Sequence, residues 1–121
     1  MSIQAYQNTA NKTEGPRQTE YRAFAAATRG LIDAAALPES EVGRRAEALS
    51  LNRRLWSLLA SDCAADGNQL SQSLRAQIIS LSMFVDKHSS QVMRAGASID
   101  VLIDINRTIM QGLSPSQPAA A

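Results

Sequence analysis

Cysteine, aromatic residues and net charge are all scarce in this chain, and each shortage removes a class of function. Cys63 is the one cysteine among 121 residues, which excludes an internal disulfide, argues against a cysteine-based zinc site and fits a reducing compartment. The cytoplasm is the expected location. Lys and Arg number 12 against 11 Asp and Glu, a formal net charge of +1, so bulk charge does not draw the chain to nucleic acid. Direct nucleic-acid binding is not expected. The sequence also lacks a glycine-rich phosphate loop, a metal-ligand cluster and a nucleophile with a local signature. It predicts no enzyme and no cofactor. The longest apolar runs fall far short of the roughly 20 residues that cross a bilayer, and Met1 to Thr13 is rich in Gln, Asn and Thr, without the apolar stretch of a secretion signal. No membrane insertion is expected.

What is present is the composition of a folded protein. Apolar residues make up 45%, enough at this length for one domain with a single modest core. No internal repeat and no strand-like alternation appears, and apolar residues recur at the three-and-four spacing of helices. The expected fold is all-α: a bundle of about four helices over residues 15–113, with a flexible N-terminal arm at 1–14 and a disordered tail at 114–121. In the arm, Ile3 and Tyr6 are the large apolar groups.

Gly15-Pro16 opens the first predicted helix, since proline loses nothing in a first turn. It runs to about Ala36 and turns Tyr21, Phe24, Ala25, Thr28, Leu31, Ile32 and Ala35 to one face. Leu37-Pro38 ends it, and the proline is expected to start the next helix, with Glu39 and Glu41 in a first turn that favours acids. That second helix reaches about Ala65 on a stripe of Ala48, Leu49, Asn52, Leu55, Trp56, Leu59 and Cys63, while Leu51 and Leu58 form a second sector that suggests a further neighbour. Asp66-Gly67-Asn68 closes it. Ser71 caps a third helix with the stripe Leu74, Ile78, Leu81, Val85, His88 and Val92, ending near Arg94 or earlier if His88-Ser89-Ser90 interrupts it. Gly96 breaks the chain, Ser98 offers a new cap, and Ile99, Leu102, Ile103, Asn106, Ile109, Met110 and Leu113 share one side of the last helix. Asp104 and Arg107 stand at ion-pair spacing.

Few residues here invite a chemical reading, and each has a plainer one. A lone histidine on an apolar stripe, His88, is more often an interhelical hydrogen-bonding group than an acid-base catalyst. Cys63 reads as a small buried apolar residue. The pairs Asp62/Asp66 and Asp100/Asp104 each put two carboxylates on one face, which is usually just a solvated face. Asn52 and Asn106 are more informative, because an amide inside an apolar stripe costs a few kcal/mol, roughly, unless it finds a partner. The expectation is that they bond each other or buried backbone ends and fix helix register; the alternative is that they line a groove for an incoming chain. Ala76, Ile79 and Met83 lie roughly opposite the Leu74 stripe. Exposed, they would accept an amphipathic helix.

Longer segments carry more. Asn52-Arg53-Arg54-Leu55-Trp56, Asp62-Cys63-Ala64, Leu74-Arg75-Ala76, Ile78-Ile79-Ser80-Leu81, Phe84-Val85, His88-Ser89-Ser90 and the run from Ile99 to Met110 resemble the flagellar protein FlaF family of alphaproteobacteria. The likeness extends from about Tyr6 to Leu113, including Ala5-Tyr6-Gln7 and Gly15-Pro16-Arg17. Ser71 departs from it where proline is expected, and serine caps a helix equally well. The resemblance implies a cytoplasmic factor for flagellin production and secretion, similar to an export chaperone, acting beside the regulator FlbT. Flagellin's terminal segments, unfolded in the monomer and helical in the filament, are the implied client. Ile79, Met83, Ala76, Leu51 and Leu58 are the candidate contacts, with Ile3 and Tyr6 of the arm covering the groove until the client displaces them. Alternatives are a regulator of flagellin synthesis that binds mRNA through the arginines of the first two helices, and a scaffold for FlbT or the export machinery.

Overall fold

The computed structural model describes residues 16–65 and 70–113. Four helices follow one another: α1 (Pro16–Ala35), α2 (Val42–Ala64), α3 (Gln72–Ala95) and α4 (Asp100–Leu113). Strands are absent among the described residues. The arm with Ile3 and Tyr6, the Asp66-Gly67-Asn68 stop, the tail and the Leu113 side chain lie outside the description. Each helix runs antiparallel to the next, and α1 packs against both α2 and α4, so the four close a ring whose weakest side is α3 against α4. Such a ring buries one stripe from every helix.

In α1 the buried residues are Phe24, Ala27, Thr28, Leu31 and Ala34. The expected face needs correcting: Ala35 is exposed and Ala25 half-buried, while Ala27 and Ala34 take the inner positions. Alanines stand at so many positions in this helix that apolar periodicity cannot fix its phase, and contact with α2 decides instead. Arg45 of α2 reaches across to donate to the Ala34 carbonyl at 3.2 Å, tying down a C-terminal carbonyl that the helix leaves open.

The connection from α1 to α2 is longer than the sequence suggests. Glu41 N–H donates to the Pro38 carbonyl at 3.0 Å, closing a turn over 38–41, so Pro38 does not start α2. Glu39 and Glu41 precede the helix rather than filling its first turn. Once started, α2 buries Leu49, Asn52, Trp56, Leu59 and Cys63, the alternating four-and-three step of one helical face. Trp56 meets Phe24 edge to face, ring centres 5.2 Å apart. Leu51 and Leu58 contribute to neither seam; both remain exposed.

Ser71 caps α3, its Oγ accepting from Leu74 N–H at 3.2 Å. Ile78, Val85, Ser89 and Val92 are buried. The helix runs on through His88-Ser89-Ser90, and there the Ser89 and Ser90 hydroxyls donate back to the carbonyls of Val85 and Asp86, a bond open to serine inside a helix. It stops at Gly96, whose φ of +69° is cheap for glycine and strained for other residues. Ser98 then accepts from Asp100 N–H at 3.1 Å, and α4 begins with Asp100 in its first turn. No ion pair joins Asp104 to Arg107; among the described residues Arg29 pairs with Asp33 and Arg53 with Asp86.

Candidate partner-binding surface

Two kinds of site emerge from this ring, one sealed and one open. The sealed one is a chain of hydrogen bonds through the centre of the bundle. Trp56 Nε1–H donates to Asn106 Oδ1 at 2.8 Å. Asn106 Nδ2 donates in turn to Asn52 Oδ1 at 2.8 Å and to Thr28 Oγ1 at 3.1 Å. Thr28 passes its own proton to the Phe24 carbonyl at 2.6 Å. An indole can only donate, so Trp56 fixes which way the Asn106 amide points, and Asn106 then fixes Asn52. The expected pairing of the two asparagines is present, and neither lines a groove: both are fully buried. One donor is left over. Asn52 Nδ2 has no acceptor among the described residues, a penalty of about 1–3 kcal/mol. Sequence reasoning singled out the two amides but missed Trp56 and Thr28 as their partners; the signal was available, since a buried indole N–H needs an acceptor.

His88 is half-buried and bonds the loop before α4 rather than a facing helix. Its Nε2 lies 2.8 Å from the Ser98 carbonyl and its ring stacks on Phe84 at 5.4 Å, which ties the end of α3 to the turn before α4. Cys63 is buried, and that burial, with Glu20 nearby, pushes its thiol above the ordinary value. It is therefore not an activated nucleophile. Asp100 and Asp104 stand on the rim of an open depression of about 500 Å³ between α1 and α4, floored by Ile32 and Ile103. No group of three metal-binding side chains occurs among the described residues.

The open site is apolar and comes in separate pieces. Leu51 is 52% exposed, Leu58 60% and Met83 72%. Ala76 is exposed as well, but Ile79 is half-buried and packs on the core. Its removal from the exposed sector is a correction: α2 crosses close enough to shelter it. The pieces do not form one groove. Arg53 of α2 reaches Asp86 of α3, and Leu51 and Leu58 project about 160° and 140° from Arg53 by the helical period. They lie on the side of α2 turned away from α3, whereas Met83 borders the α2–α3 seam. Phe84, 45% exposed, was not anticipated as a contact; it faces the other way, on the α4 side of α3.

A helical surface of this kind gains meaning from what it is related to. The sequence model described as "Flagellar protein FlaF" matches residues 2–113. The chain belongs to the FlaF family. No curated protein and no solved structure gives a significant match. FlaF membership confirms the resemblance read from the segments between Tyr6 and Leu113 and gives the chain a role in flagellum biogenesis. FlaF is a family of flagellar proteins and not a known family of enzymes. Among the described residues no helix is long and apolar enough to cross a membrane.

Proposed function

We propose that the protein is a cytoplasmic flagellin-binding export chaperone, which holds flagellin's helix-forming terminal segments noncovalently and so promotes flagellin production and secretion. The observation that carries this reading is the set of large aliphatic side chains that the bundle leaves in water, Leu51, Leu58 and Met83, beside a core that is closed without them. Full burial of such a side chain contributes about 1.5–3 kcal/mol, and an amphipathic helix supplies the matching face. Methionine and leucine on a rigid helical scaffold suit a client that is itself unstructured until it binds. The flagellar family supports the choice of client.

Mixing the purified protein with purified flagellin tests it directly. Co-elution on size exclusion and a saturable heat by calorimetry are expected; if neither appears, the holding role fails. The two faces separate in Leu51→Asp/Leu58→Asp and Met83→Asp, each expected to fold and at least one to lose the complex.

Separation of the faces also favours a second reading, a scaffold that takes flagellin on one face and FlbT or export machinery on the other. In that case one variant loses flagellin and the other loses only the second partner. Direct binding to flagellin mRNA has less support. That reading leans on the arginines of the first two helices, and of these Arg29, Arg45 and Arg53 are engaged with Asp33, the Ala34 carbonyl and Asp86.

A further inference from the structure

The seam between α3 and α4 is where the ring closes least, and the two helices that border it are oppositely charged on their outer sides. Besides His88, the ionisable side chains of α3 are Arg75, Asp86, Lys87 and Arg94. The first two are engaged toward α2, with the Cys63 carbonyl and with Arg53. Lys87 and Arg94 remain, exposed and within about 20° of each other by the helical period. The charged side chains of α4 are Asp100, Asp104 and Arg107. All three border the depression against α1, but Asp104 lies only about 60° from Val101, against about 100° for Asp100 and 120° for Arg107. Among the described residues Lys87, Arg94 and Asp104 form no ion pair. Between the basic edge and the acidic one lie exposed Phe84, stacked on His88, and exposed Val101, with Leu81 and Ile105 half-buried beneath them.

We propose that this face binds a second copy of the chain, α3 of each lying against α4 of the other about a two-fold axis that runs along the seam. The pattern is complementary to itself. Such an axis exchanges the two edges, so the basic edge of each copy meets the acidic edge of the other, twice, with Phe84 and Val101 covered between them. An axis across the helices instead sets basic edge on basic edge, which charge opposes. The levels also agree. Counted from the helix ends beside the connecting turn, Arg94 lies about 1.5 Å along α3, Asp104 about 6 Å along α4 and Lys87 about 12 Å along α3. Each Asp104 therefore falls between the two cations of the other copy, within reach of their long side chains.

The other apolar face does not offer this. Arg54 stands midway between Leu51 and Leu58 and within about 60° of both, so a two-fold that packs α2 on its own copy across those leucines brings Arg54 against Arg54, whether the helices run parallel or antiparallel. The seam face is two helices wide, about 20 Å, and about 21 Å long, the length of the 14 residues of α4. That size belongs to small, transient interfaces, so the association is expected to depend on concentration.

Sedimentation velocity of the full chain over a range of concentrations tests it. The weight-average mass is expected to climb toward twice that of one chain; a mass that stays at one chain up to about 1 mM overturns the proposal. Lys87→Glu and Asp104→Lys each set like charges at both symmetry-related contacts and are expected to weaken the association about tenfold or more. An equimolar mixture of the two variants restores opposite charges at both contacts and is expected to associate as the unsubstituted chain does, a rescue that a folding defect does not produce. Association unchanged in the single variants, or a mixture no better than either variant alone, overturns the proposal, and so does weakening by Leu58→Asp in place of Lys87→Glu. No flagellin is present in these experiments, so the result is independent of the holding activity.

Discussion

At the centre of the bundle, Thr28, Asn52, Trp56 and Asn106 bring polar atoms together out of reach of water, while on its outside Leu51, Leu58 and Met83 stand mostly in water. Each region inverts the usual assignment of polar and apolar groups, and the two inversions have opposite consequences. The inner one binds three helices in a single register, because sliding any of them would leave several donors or acceptors orphaned at once. The outer one lies outside the buried core of the fold. If the proposed holding role is right, stability and partner binding reside in different residues, and substitutions should separate them.

Asn106→Leu is the strongest test. It strands Trp56 Nε1–H and the Asn52 amide together and is expected to cost about 3 kcal/mol or more, read as a lower urea midpoint with unchanged slope. Trp56→Phe comes next, at about 1–2 kcal/mol, from the lost donor and a partly empty site. Asn52→Leu sharpens the comparison, since it also deletes the orphaned Nδ2: Asn106 keeps Thr28, and the net change is expected to be roughly 0–1 kcal/mol. If the two asparagines cost the same, the reading of the network is wrong. Leu58→Asp is expected to alter stability by no more than about 0.5 kcal/mol while weakening flagellin retention. The smallest effect concerns pH. Cys63 is raised above the ordinary thiol value of 9.0, so the folded protein keeps a proton that the unfolded chain releases. Its contribution is complete below that value and is lost as pH rises past it, and a slight fall in melting temperature that disappears in Cys63→Ala would reveal it.

Much of this architecture is legible in the sequence. The α2 stripe from Leu49 to Cys63, the Ser71 cap, the Gly96 stop and the pairing of Asn52 with Asn106 all follow from spacing and from the cost of burying an amide alone. The rotation of α1 does not, because its alanines serve equally well on any side; nor does the start of α2, where a turn closed by Pro38 and Glu41 competes with helix for the same residues. The surface divides in the same way. Leu51, Leu58 and Met83 are off-stripe by period and are exposed. Ile79 is off-stripe too, yet sheltered, and Phe84 stands in water, because both depend on how closely a neighbouring helix crosses, which a single helix's periodicity does not encode.

Arg75 gives the α2–α3 pair an unusual property. From the first turns of α3 its Nε reaches the Cys63 carbonyl at 2.6 Å, so the end of one helix is finished by a side chain of the next. The hairpin is therefore clasped from outside its own connection, and its geometry need not be dictated by the residues in between. Doubling a loop's length costs only about 0.6 kcal/mol in closure entropy, so this connection is a place where the chain should accept an inserted reporter or a new pair of termini, provided Arg75 remains.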